Sequence, residues 1–231
     1  MWSLSPLEIE AFMLSLKVAF WAVLVSLPFG ILAAWLLARR SFPGKSLFNG
    51  LVHLPLIIPP VAVGYLLLVL LGRNGALGGW LFDVFGITIA FSWKGAAVAA
   101  AVMAFPLMVR AIRLSLEMVD PHLEQAARTL GASPLRVFLT VTLPLTVPGI
   151  LTGVILAFAR SLGEFGATIT FVSNIPGETR TLPLALYTLT QTPDGELGAA
   201  RLLILSVVLA LAALMLSEML ARRIARQLGG G

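Results

Sequence analysis

The sequence predicts an all-α, polytopic membrane protein of about five transmembrane helices, with its amino terminus outside and its carboxyl terminus in the cytoplasm. Three observations lead there. Apolar residues make up 58% of the 231-residue chain and charged residues 12%, about half the charged share of a soluble domain, and the mean hydropathy is +0.97. Apolar windows near the roughly 20 residues that cross a bilayer recur along the chain. Lys and Arg collect in alternate connecting segments, as the positive-inside rule requires of cytoplasmic loops. A single membrane domain over 1–231 is expected, its core at about 10–221 and a cytoplasmic loop at about 114–146.

The first window, Phe12 to Ala38, is too long for a cleaved signal peptide, and Glu8 and Glu10 precede it without a Lys or Arg, so it is expected to stay as a helix. The second, Leu47 to Leu71, holds Pro55, Pro59, Pro60 and Gly64. These remove backbone donors and kink or break a helix unless neighbouring protein satisfies the freed carbonyls. A bend beside a pathway and a bend that merely packs both fit. In the third, Phe91 to Val109, Gly95, Ala96, Ala97, Ala99, Ala100 and Ala101 allow close helix contact, as do Gly149 and Gly153 of the fourth, Val147 to Val172. The fifth runs from Leu197 to Ala221.

Arg39, Arg40 and Lys45 follow the first span. Arg110, Arg113, Arg128 and Arg136 lie between the third and fourth, and Arg222, Arg223 and Arg226 end the chain. These segments are therefore placed in the cytoplasm. The opposite side mixes Arg73, Lys94, Arg180 and Arg201 with Glu8, Glu10, Asp83, Glu178, Asp194 and Glu196, and Trp2, Trp80 and Trp93 fall near its boundary. The net charge of +5 is thus spent on orientation rather than on a basic stripe for nucleic acid. No cysteine is present, which excludes disulfides and thiolate chemistry. His53 and His122 have no ligand spacing around them, so neither a metal site nor a cofactor is expected. Gly44-Lys45-Ser46 resembles the end of a phosphate loop, but Arg39 stands where the earlier glycine is required. Without a Walker motif the chain is not expected to hydrolyse ATP or to be an enzyme.

One connecting segment differs from the rest. Asp120 suits a helix N-cap, Pro121 the first helical position, Gly131 a left-handed helix end, and Pro134 blocks simple continuation. Leu123, Ala126, Ala127 and Leu130 recur at helical spacing, a slim apolar face suited to a partner's groove. Glu124-Gln125-Ala126-Ala127, Gly131 and Leu143-Pro144 resemble the cytoplasmic "EAA" loop of binding-protein-dependent ABC importer permeases, with Gln125 where that family often has alanine. The resemblance implies the type I ABC importer transmembrane fold and a coupling helix, Glu124, Gln125, Ala126, Ala127, Leu130 and Gly131, seated on an ATPase.

A second block, Ala159 through Thr181, and two further blocks, His53 to Tyr65 and Met103 to Arg113, are similar to the molybdate-importing branch of that family; sulfate and thiosulfate permeases share a related Gly-Glu-aromatic-Gly element. Within the second block Arg160 and Glu164 stand four apart and can pair, which lowers the cost of charge inside a membrane. Ser161, Thr168, Thr170 and Asn174 supply hydroxyl and amide groups able to solvate an oxyanion. A pathway role and a structural ion pair are both open. The resemblance implies two ATP-binding subunits, an extracytoplasmic substrate-binding protein, a second copy of the chain, a molybdate cargo and a bacterial inner membrane. Its rivals are a sulfate, thiosulfate or tungstate permease and, from another class, an ion-gradient-driven secondary transporter.

Overall fold

The structure, a computed structural model, describes residues 4–228, with side chains as far as Leu216 and at Met219. Trp2 and the Arg222, Arg223 and Arg226 side chains lie outside the described residues. Helix α1, Pro6–Arg39, starts at a capping box in which the Ser5 hydroxyl accepts from the Glu8 amide and the Glu8 carboxylate accepts from the Ser5 amide at 2.6 Å. Its 34 residues span about 51 Å, more than the roughly 30 Å of a hydrocarbon core. At its amino-terminal end α1 is tied to later elements. Glu8 pairs with Arg201 at 2.9 Å, and the Ser15 hydroxyl accepts from the Leu182 amide at 2.7 Å.

The second window is a broken element, as its prolines require. Helix α2, Lys45–His53, passes through a tight turn at Leu54–Leu56 into α3, Pro60–Leu71, and the two halves are bent by 110°. Short α4, Ala76–Phe85, follows. Helix α5, Trp93–Met118, is capped by Ser92 and extends nine residues beyond the expected end at Val109. It forms the centre of the bundle. Ala96, Ala99 and Ala100 are fully buried against α1 and neighbouring elements. Gly149 abuts Ser115, and Gly153 lies against Met108 and Ile112. The small residues therefore serve contact between backbones, as their spacing predicts.

After α6, Pro121–Thr129, the chain turns into α7, Pro134–Val137, a wide π-type turn at Phe138–Thr142 and α8, Leu143–Leu162. The fourth span thus runs from Pro134 to Leu162 rather than from Val147 to Val172. A helix break at Gly163 sets off α9, Gly166–Val172, and α10, Leu182–Thr190, and α11, Glu196–Leu228, complete the chain. The apolar run alone could not reveal that break, because its cause is polar: the Glu164 carboxylate takes the Ala167 amide at 2.8 Å. Among the described residues four helices are long and apolar enough to cross a membrane, and the bent α2–α3 pair makes up to five.

Candidate functional site

Two places gather the residues singled out by sequence. At the first, α6 is built as its caps foretell. The Asp120 carboxylate accepts from the His122 amide at 2.9 Å, Gly131 takes a left-handed φ of +83°, and the Ala132 amide closes on the Ala127 carbonyl at 3.2 Å. The helix has two unlike faces. Gln125, Ala126, Leu130 and Gly131 are exposed, Leu130 at 88%, with Leu123 and Leu135 also largely in the open. Glu124 points the other way. Its Oε1 lies 3.0 Å from Arg39 Nη2, at the end of α1, and accepts from the Thr142 hydroxyl, just before α8, at 2.9 Å. Arg39 Nη2 also donates to the Val119 carbonyl at 3.0 Å. Of the six residues expected on the docking face, Glu124 is the inward anchor, and Ala127 is half-buried beside it. The sequence offered no way to see that Arg39, 85 positions earlier, is its partner.

At the second place the two helix breaks meet. A Cβ on Gly166 would stand 2.7 Å from the Pro60 ring, and one on Gly64 would stand 2.5 Å from the Ala167 carbonyl and 2.9 Å from Thr170. Pro55 sits in the tight turn, Pro59 caps α3 and Pro60 opens it, so all four expected kink residues lie at or next to the junction. Arg160 closes α8, and its Nη1 lies 2.7 Å from Glu164 Oε2. The pair forms across the end of the helix, since Glu164 falls beyond Leu162. Glu164 is buried, whereas Arg160 keeps over a quarter of its side chain exposed. Ser161 is buried with an unpartnered hydroxyl. Thr168 is buried on α9, and the Thr170 hydroxyl returns to the Gly166 carbonyl at 3.0 Å.

Asn174 stands apart from this group. Its amide donates to the Thr188 hydroxyl at 2.8 Å and its oxygen accepts from Arg180 Nε at 2.9 Å. Just before it, Ser173 holds φ +63° and ψ −161°, a region in which only glycine is free of strain. Arg180 and Thr188 are polar partners of Asn174 that the sequence reading did not single out for the pathway.

Residues 26–226 match the family model described as binding-protein-dependent transport system inner membrane component. The chain belongs to this family. The permease is 68% identical over 223 residues to the molybdenum transport system permease protein ModB of Escherichia coli, covering 96% of this chain and 97% of the relative. It is 60% identical over 225 residues to the protein of that name from Haemophilus influenzae, covering 97% and 98%. The sulfate transport system permease protein CysW of Synechocystis is 41% identical over 217 residues, covering 93% of this chain and 77% of the relative. Among solved structures, a bacterial ABC transporter that imports the acidic polysaccharide alginate superposes with a TM-score of 0.74 at 20% identity, covering 95% of the permease and 80% of that chain. At that identity the likeness establishes the fold. The permease is thus a multi-pass inner-membrane protein with the type I ABC importer transmembrane fold.

Proposed function

We propose that the permease forms the membrane pathway of an ATP-driven molybdate importer and takes its energy from separate ATPase subunits docked on α6. The cargo rests on one observation: near-full-length identity of 68% and 60% to molybdenum permeases, against 41% to a sulfate permease. Two copies of the chain related by a two-fold axis would enclose the pathway and offer one α6 to each of two ATPases. The α6 end lies in the cytoplasm, with Arg39, Arg40, Arg110 and Arg113 at the same end of α1 and α5. An extracytoplasmic binding protein delivers the oxyanion from the opposite side.

The geometry supports a lever. Movement of α6 passes through Glu124 to the end of α1 and to the start of α8, and α8 carries it about 30 Å along its 20 residues to the Arg160–Glu164 break. There the amino ends of α3 and α9 adjoin, and their positive dipole ends favour an anion. Glu164 opposes tight binding, which suits an ion that must leave again. ATP-driven closure of the ATPase pair would turn the cavity toward the binding protein, and hydrolysis would return it inward.

Uptake in proteoliposomes holding the permease, its ATPase and its binding protein tests this. Molybdate accumulation that requires ATP, survives an uncoupler and resists excess sulfate is expected. Competition by sulfate as strong as by unlabelled molybdate would reassign the cargo, and uptake abolished by the uncoupler but not by ATP depletion would place the chain among secondary transporters.

A further inference from the structure

A groove runs along α1 and α5, with Phe48, Leu51 and Val52 of α2 on its lower wall. It consists of two hollows, of about 510 and 200 Å³, that share Val25, Val98 and Ala101 as a common wall and are apolar apart from Ser26 and Lys94. The upper hollow is closed by Trp21, Trp93 and Lys94. The lower continues past Phe29 and Phe105 to Pro55. From Trp93 to Phe105 is about 18 Å along α5, close to the hydrocarbon depth of one leaflet.

Two cations stand at the top. Lys17 places its ammonium 3.8 Å from the centre of the Trp93 ring, and Trp21 packs on Trp93 with the rings tilted by 50° and their centres 6.5 Å apart. Lys94 is the next residue along α5 and is exposed. Neither lysine is ion-paired among the described residues. The Glu178 carboxylate at this end accepts from the Trp93 amide at 3.2 Å and so is engaged by the start of α5. Lys17 lies eleven residues into α1, at the level where α5 begins, and about 33 Å from Arg39. That distance matches a hydrocarbon core and sets Lys17, Lys94 and both tryptophans at its boundary, where indole and snorkelling lysine reside.

We infer that this groove is a binding site for an anionic phospholipid, with the headgroup phosphate on Lys17 and Lys94 and one acyl chain lying along Val25, Val98 and Ala101. Charge complementarity selects the headgroup, since two uncompensated ammonium groups at a membrane boundary attract a net-negative lipid. Depth and apolarity select the chain. Both are read from side chains that include none of α6 and neither Arg160 nor Glu164, so the site does not depend on the cargo assigned above.

The test uses the intact permease in nanodiscs of mixed phosphatidylglycerol and phosphatidylcholine, with retained lipid counted by native mass spectrometry after mild delipidation. Each lysine is worth about fivefold, so the wild type is expected to prefer phosphatidylglycerol about 25-fold. The exposed-residue variant Lys17→Gln/Lys94→Gln is expected to lose nearly all of that preference. Ala101→Phe, which fills the shared wall but leaves both lysines, is expected to reduce the amount of either lipid retained. A wild type without preference, or a double variant with its preference intact, overturns the inference. The cysteine-free chain provides an independent arm: Val98→Cys is expected to react with a lipid-phase maleimide and not to link two copies. A copy-to-copy disulfide there would give the groove to a second subunit and overturn the inference as well.

Discussion

Replacing Glu124 by alanine removes two polar contacts that tie α6 to the bundle. One is the ion pair with Arg39 at 3.0 Å and the other the hydrogen bond from Thr142 at 2.9 Å. A hydrogen bond to a charged group contributes about 1.5–3 kcal/mol. Both charged side chains are about one-sixth exposed, so solvent weakens the pair only in part. Arg39 would also lose its counter-charge while its Nε already lacks a partner. The net loss is about 2–3 kcal/mol, or about 30- to 150-fold in the population of the anchored helix. Hydrogen exchange over the segment from Val119 to Gly131 reads this directly, and Glu124→Gln, which keeps an acceptor for Thr142, is expected to show about half the effect. A cycle with Arg39→Met should give a coupling of at least 1 kcal/mol. Unchanged exchange in Glu124→Ala, or additive single effects, would refute the anchoring role and with it the lever.

Gly64→Val drives a side chain into the Ala167 carbonyl and Thr170, so α3 and α9 must separate; a loss of about 1–3 kcal/mol is expected, seen as a lower melting temperature in detergent. Gly131→Ala meets no atom within 4 Å and carries only the left-handed φ of +83°. It should cost about 1–2 kcal/mol, and Gly131→Asn less, in the same melting assay. Arg160→Met alone strands the buried Glu164 and is expected to destabilise by about 3–5 kcal/mol. Arg160→Met/Glu164→Gln should melt near the wild type, because a glutamine can still accept from the Ala167 amide. If that double variant also transports molybdate normally, the pair is structural and not part of the pathway.

The all-helical membrane class was legible because bilayer length acts on whole segments and needs no tertiary contact to be read. The α6 caps were equally local: Asp120, Pro121 and Gly131 each act within one turn. The second window's prolines announced a disruption, but neither its 110° angle nor the close approach of α9 to Gly64 is written in local sequence. The fourth span was misplaced for a related reason. Composition runs apolar from Val147 to Val172, while a single buried carboxylate at Glu164 ends one helix and caps the next. Pairings across the chain were out of reach, and they decide the sites. Glu124 lies on the α6 sequence pattern but is turned inward by Arg39, and Lys17 was hidden inside an otherwise apolar window until Trp93 came over it.

The most direct measurement places a single cysteine at Leu130, the most exposed large apolar residue of the coupling segment, in a chain that otherwise has none. In inside-out vesicles a short cross-linker is expected to join it to a nucleotide-hydrolysing subunit, and a membrane-impermeant maleimide added to intact cells should leave it unlabelled. Labelling from the cell exterior, or the absence of any such adduct from an assembly that actively transports, would contradict the account.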